Sequence, residues 1–271
     1  MNNIKAKKKF GQNFLKDESV LIKIIQSMPH NNNHIVEIGP GLGDLTKKLV
    51  KCKDVTAYEV DRDLYSILQT EFSDELKSNK LKIILGDVLE KWNENSSLYN
   101  SRYDLIANLP YYIATNIILN SFNDNNCENI IVMIQKEVAD KFTAQCGDKE
   151  YSSLSVITQL ISKQARTLIV VPPESFDPPP KVDSSVIYIQ KDMDKELDFD
   201  FNKFLKVCFS QPRKKLSKNL STAYNKAMIN SIFDELNIKE SARPHEVDAS
   251  LYSHIYTKVK QNGRNESYTN N

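Results

Sequence analysis

The segment Asn108-Leu109-Pro110-Tyr111-Tyr112 carries residue types that can make a poor nitrogen nucleophile react. An exocyclic amine on an aromatic base has its lone pair delocalised into the ring. Two acceptors on its hydrogens favour a more tetrahedral nitrogen. The Asn108 side chain can supply one acceptor and the Pro110 carbonyl the other. Pro110 also restricts Leu109 to an extended backbone, which aims both groups. Tyr111 offers a flat face to a base, an interaction worth about 1–3 kcal/mol. As a plain turn the segment would be unremarked, so its neighbours must give it meaning.

Glu37-Ile38-Gly39-Pro40-Gly41-Leu42-Gly43 holds three of the chain's seven glycines. Where glycine is scarce, that concentration fits backbone approaching a ligand at a helix start, with Gly39 and Gly41 as contact positions. The competing reading is a tight strand-to-helix turn. The spacing is Gly-x-Gly-x-Gly, not the Gly-x-Gly-x-x-Gly of a dinucleotide binder. Glu59 ends the next strand-like run, where a carboxylate can accept from both ribose hydroxyls. Asp61 and Asp63 read as helix caps. Asp87, after Gly86, ends a third run and can accept from an adenine amino group, or simply make a turn. Three successive strand ends so equipped describe an adenosine pocket, and Asn108 ends the fourth strand beside it.

The elements that position these residues follow from hydrophobic periodicity. Val20, Leu21, Ile24, Ile25 and Met28 have helical spacing. Strand-like runs at 34–38, 55–60, 81–85, 103–107 and 130–134 alternate with helix-like runs at 42–51, 64–72, 114–122 and 138–144. That rhythm implies an α/β, Rossmann-like doubly wound sheet, mainly parallel, with ligand sites at the carboxyl ends of its strands. After a helix at 153–162, two β-rich runs at 166–171 and 182–189 read as antiparallel additions. Residues 191–200 read as a linker, and from Phe201 to about Val259 only helical patterns remain. The expected division is a sheet domain over 1–190, a small all-α C-terminal domain over 200–259, and a polar tail over 260–271 without order.

Net charge is +1, yet the charge is unevenly spread. Lys5, Lys7, Lys8, Lys9 and Lys16 precede any acid, and Lys203, Lys206, Arg213, Lys214, Lys215, Lys218 and Lys226 form a second acid-free stretch. Each alone would pass as a solvated face, whereas the pair suggests a localised polyanion. No apolar run approaches the roughly 20 residues of a membrane span, and the basic N-terminus lacks the apolar core of a signal peptide. Cys52, Cys127, Cys146 and Cys208 are scattered, as suits reduced thiols in a cytoplasmic protein. His30 and His34 flank an Asn-rich loop, so no metal site is expected.

With these residues in view, the chain resembles the ribosomal RNA adenine dimethyltransferases, in particular their small-subunit, KsgA-type branch. The motifs are Phe10-Gly11-Gln12-Asn13-Phe14-Leu15, the Glu37–Gly43 loop, Asn108–Tyr111 and Phe176 through Ser184, in that order. The match covers Lys9 to about Tyr256. The resemblance implies a class I methyltransferase sheet and S-adenosylmethionine as methyl donor. It further implies that Asn13, Leu15, Gly39, Glu59, Asp87 and Asn108 contact the donor or lie between it and the base, and that Tyr111 and Phe176 sandwich the adenine. The substrate would be two adjacent adenosines near the 3′ end of small-subunit (16S) rRNA, each dimethylated, with a role in small-subunit biogenesis. Lys7, Lys8, Lys9, Arg213, Lys214 and Lys218 would grip rRNA phosphates on a pre-30S particle, the protein acting as a monomer. Two departures stand out: Pro212 replaces the first of two adjacent arginines in the family's basic helix, and Tyr112 stands where some members have Asn.

Three rival functions compete with this one. A large-subunit rRNA adenine methylase is disfavoured by Leu109 and by the segment from Phe176 to Ser184. An assembly factor whose binding outweighs its catalysis is compatible with the same residues. A nicotinamide-dependent dehydrogenase is disfavoured by the glycine spacing.

Overall fold

The computed structural model describes Lys7, residues 11–196 and residues 198–268. In chain order the elements are β1 (Phe14–Leu15), α1 (Glu18–Gln26), β2 (His34–Ile38), α2 (Thr46–Leu49), β3 (Val55–Glu59), α3 (Arg62–Glu71), α4 (Ser73–Lys77), β4 (Leu81–Leu85), α5 (Val88–Asn95), β5 (Tyr103–Asn108), α6 (Ala114–Asn123), β6 (Cys127–Gln135) and α7 (Lys136–Thr143). They continue as α8 (Ser153–Ile161), β7 (Ser162–Val171), β8 (Phe176–Asp177), β9 (Ser184–Lys191), α9 (Phe199–Cys208), α10 (Leu216–Leu220), α11 (Lys226–Glu235) and α12 (Ala249–Tyr268).

Seven strands form one sheet in the order β4-β3-β2-β5-β6-β9-β7. The first five pair in parallel, and β9 joins β6 antiparallel, Val132 opposite Ile187. Strand order therefore reverses beside β2, the position where open α/β sheets bind ligands at their carboxyl ends. Ile35, Val36, Leu105, Ile106, Ile130 and Val132 are each at most 1% exposed. Near-continuous apolar runs of this kind are what a sheet covered on both faces requires. The start of β5 is anchored by Asp124, which accepts from Tyr103 Oη at 2.6 Å and from Trp92 Nε1 at 2.8 Å. That buried anchor fixes the strand whose other end carries Asn108.

The chain divides into two compact units. The first comprises residues through Ala139 together with Lys163–Asp194, and the second comprises Asp140–Ser162 and everything from Lys195 on. In the second unit α8 packs against α9 and α12, with Val156, Phe204, Leu205, Leu216, Tyr252 and Ile255 buried. This division departs from the expected one in two respects. The α8 helix belongs to the helical unit, not to the sheet domain, because its partners come from the C-terminal helices. The last helix is Ala249–Tyr268, whereas the helical pattern read from the sequence ends near Val259.

The expected linker at 191–200 also changes at its edges. Lys191 ends β9, is 2% exposed, and donates to the carbonyls of Ser121 and Asp124 at 2.8 and 2.6 Å. Burial lowers its pKa, and the two carbonyls satisfy the ammonium. At the far edge Asp198 already caps α9.

Candidate active site

The cavity at the carboxyl ends of the parallel strands is lined by Asn13, Leu15, Gly39, Gly41, Glu59, Asp87, Asn108, Pro110 and Tyr111, among others. Four strand ends and the N-terminal segment thus converge on one space.

The glycine loop turns from β2 toward α2 through Gly39 at φ +67° and Gly41 at φ +63°. Those backbone angles are open to glycine at little cost. Gly43 has a separate role: a Cβ there would lie 2.6 Å from Phe72 Cε2, so it is a packing glycine. The helix beyond is shorter than the periodicity suggested, Thr46–Leu49 and not 42–51, because residues 41–45 are used in turns.

Glu59, 3% exposed, is oriented by two backbone amides. Its Oε1 accepts from Asp61 N at 2.8 Å and its Oε2 from Gly41 N at 3.4 Å. Burial raises its pKa, and those amide bonds pull the other way. Each oxygen retains acceptor capacity for a ribose hydroxyl. Asp87 caps α5 through Oδ1, which accepts from Leu89 N at 2.8 Å. No bond from a described residue is seen to its second oxygen, so the turn reading and the ligand reading of Asp87 are compatible.

Asn108 sits at the end of β5, and the chain leaves the strand under control. Leu109 N donates to Met133 O at 3.0 Å, and Ile113 N donates to Pro110 O at 3.2 Å. The Asn108 Nδ2 donates to Asn13 O at 3.1 Å. That bond assigns the amide: nitrogen toward Asn13, Oδ1 left as an acceptor that no described residue occupies. Tyr111 is half-buried, and its hydroxyl is 2.6 Å from Ser184 Oγ on β9. Burial raises the phenol's pKa, with the Ser184 bond acting against it. Phe176 lies on β8 opposite Leu15 of β1, 4% exposed and packed in the core cluster with Leu21, Ile24 and Val171.

Lys7 and Gln12 are tied to the residues that follow β3. Lys7 Nζ reaches Asp61 Oδ1 at 2.7 Å and Asp63 Oδ2 at 2.5 Å, and Gln12 Nε2 donates to Asp61 Oδ2 at 3.0 Å. Those bonds to Lys7 and Gln12 lower the Asp61 pKa against the upward pull of its burial.

The comparisons with known proteins address the same arrangement. The family model for ribosomal RNA adenine dimethylase matches residues 3–261. The chain belongs to the ribosomal RNA adenine dimethylases. It is 66% identical to a protein of Aliarcobacter butzleri named ribosomal RNA small subunit methyltransferase A, over 98% of this chain and 100% of the relative. A protein of the same name from Campylobacter jejuni is 48% identical over 95% of this chain and 96% of its own. Among solved structures, a dimethyladenosine transferase from Plasmodium falciparum superposes with a TM-score of 0.77 at 25% identity, covering 92% of this chain and 98% of that one. The 23S rRNA methyltransferase ErmE shares the fold, with a TM-score of 0.70 at 21% identity, covering 92% of this chain and 100% of that one.

The protein is thus an rRNA adenine dimethyltransferase whose methyl donor is S-adenosylmethionine. The donor set suits it: Glu59 and Asp87 offer acceptors to a ribose and an amino group, and the glycine loop leaves room for a close approach. Among the described residues, no group of three or more His, Cys, Asp or Glu is placed to hold a metal ion, and no helix is long and apolar enough to cross a membrane.

The structure of this dimethylase gathers every proposed donor residue into one cavity, whereas the basic residues part ways. Lys8 and Lys9 lie outside the described residues. Lys7, read as a phosphate ligand, is paired with Asp61 and Asp63. Arg213 and Lys214 are exposed, but they stand in a turn before α10, so Pro212 interrupts no helix there. Asn219 fixes that turn by donating to Cys208 O at 2.7 Å and Gln211 O at 3.1 Å. Lys218 lies within α10 and is exposed.

Sequence reasoning missed what three residues do. Glu37 is fully buried beneath the loop, accepts from Thr46 Oγ1 at 2.7 Å, and has its carboxyl pushed up to about 8 by burial. Ser184 positions Tyr111, and Asn13 positions Asn108 through its backbone. All three lie in motifs quoted from the sequence, Asn13 already as a donor contact, but none was given the positioning or packing role the structure shows.

Proposed function

We propose that this enzyme dimethylates two adjacent adenosines near the 3′ end of small-subunit (16S) rRNA, acting on a pre-30S particle in the cytoplasm as a monomer. The observation that carries the chemistry is the Asn108–Asn13 hydrogen bond, which leaves the Asn108 Oδ1 as an acceptor in the cavity wall. The choice of the small subunit is supported by the names of its relatives.

S-adenosylmethionine supplies a methyl group on a positively charged sulfur, ready for displacement. Glu59 would hold the ribose and Asp87 the adenine amino group, with Gly39 and Gly41 giving backbone access. Asn108 Oδ1 and the Pro110 carbonyl would accept from the target amine and localise its lone pair. The Pro110 carbonyl already takes one bond from Ile113 N and has a second lone pair to offer. Tyr111, braced by Ser184, would stack on the flipped base and offset an unstacking cost of a few kcal/mol. Phe176, buried in the core cluster and not in the cavity wall, would have to turn out of its packing to close the other face from β8. The protein's contribution is positioning and exclusion of water, since the donor is activated already. The amine's surplus proton leaves to water, and a second turnover requires the slot to admit the monomethylated amine. Arg213, Lys214 and Lys218 would grip phosphates.

Mass spectrometry of nucleosides from 16S and 23S rRNA, after incubation with labelled donor, tests this reading. Label in dimethyladenosine from 16S rRNA alone is the expected result. Label confined to 23S rRNA would overturn the small-subunit assignment.

A further inference from the structure

The cavity has an aromatic rim for which the reaction scheme has no use. Tyr112 is 61% exposed, more than any other large hydrophobic side chain among the described residues, and Val60 is 41% exposed. Both line the same cavity as Glu59 and Asp87. Tyr112 is seated against the N-terminal segment. A Cβ on Gly11, whose φ is +59°, would lie 3.4 Å from Tyr112 Cδ1 and 3.7 Å from Cε1. A side chain at Gly11 would therefore press on the ring. Partial burial, followed by the charges of Asp87 and Glu59, holds the phenol above its ordinary range. The ring and both carboxylates line one cavity. Its neighbour Tyr111 is committed elsewhere, with its hydroxyl on Ser184. Consecutive tyrosines thus have different neighbours in one cavity.

A large aromatic left this exposed in a cavity wall that also holds Val60, Glu59 and Asp87 is surface that a bound nucleoside would cover. We propose that Tyr112, resting on Gly11, is a lid over the nucleoside half of the methyl donor and a determinant of donor affinity, leaving the target base to Tyr111. This rests on the reading of the cavity as the donor site.

Calorimetry of the full-length protein with S-adenosylhomocysteine tests it. Tyr112→Ala should weaken binding by about fivefold or more, the loss of one stacking face, while Tyr112→Phe should bind as wild type does. In steady-state assays the KM for the donor should rise with Tyr112→Ala, and the KM for RNA should stay unchanged. As a measurement on unaltered protein, S-adenosylhomocysteine should protect Tyr112 from nitration by tetranitromethane. Equal donor affinity in wild type and Tyr112→Ala would overturn the proposal, and so would a defect seen only in the KM for RNA. Wild-type protein that binds no S-adenosylhomocysteine would instead sink the donor-site reading on which the proposal stands.

Discussion

Asn108 carries two donor hydrogens and one acceptor oxygen, and the Asn13 carbonyl engages the donor side. Replacing Asn108 with Ala removes the acceptor proposed to hold the reacting amine, so single-turnover methylation with labelled donor should slow by about a hundredfold or more. RNA affinity should be unchanged, because Asn108 is not among the residues proposed to bind phosphates. Asp is no conservative substitute, since its carboxylate would meet the Asn13 carbonyl with no hydrogen between them. Glu37 gives a second test at this scale. Its carboxyl is raised from 4.5 to about 8 by burial first, with the Thr46 bond lowering it and the Glu59 charge adding to the rise. The folded protein thus holds a proton that the unfolded chain has released, and folding takes one up between those two values. The associated stability is full at low pH and is lost as pH climbs through the folded value. Glu37→Gln stays neutral throughout. In urea melts the variant should therefore gain on wild type between pH 4.5 and about 8, by up to about 1.4 kcal/mol per pH unit. Parallel curves would mean that Glu37 is ionised in the fold. Asn108 was legible in the sequence because its motif is local. Glu37 was not, because its titration depends on what folding packs around it.

Among the elements, Gly43→Ala is the sharpest probe. The added methyl would meet the Phe72 ring at 2.6 Å from a backbone at φ +84°, an overpacking and strain cost of about 2–4 kcal/mol together. Thermal melts should show that loss, and weaker donor binding should accompany it as the loop shifts. The strands β2, β3 and β4 were readable nearly residue for residue, since each is a short run rich in apolar and β-branched residues. The ribbon of β1 and β8 was not. Two-residue strands have no periodicity to detect, and Phe14 and Asp177 are paired across most of the first unit. The strand β7 begins at Ser162, earlier than the run at 166–171, because its polar first half lies at the exposed edge of the sheet.

At the scale of the molecule, net charge near neutrality conceals a polar asymmetry, with Arg213, Lys214 and Lys218 exposed in the helical unit. Replacing all three with Ala should weaken rRNA binding, and the log–log salt slope should flatten by about 1 for each phosphate no longer neutralised. Donor affinity should be untouched, and a matching fall in it would break the division of labour. Sequence order predicted two consecutive domains, and the sheet and the C-terminal helices follow that order. The exception is Asp140–Ser162, which joins the helical unit before the sheet is finished. Nothing in its own composition announces this, because helix α8 is equally apolar whichever neighbour covers it. That excursion decides how the gene can be cut. A protein ended at Asp194 would keep α8 but forfeit α9 and α12, stranding Val156, Ile157 and Ile161 in water. A minimal catalytic fragment therefore needs two incisions, one removing the early loop of helix and one removing the tail.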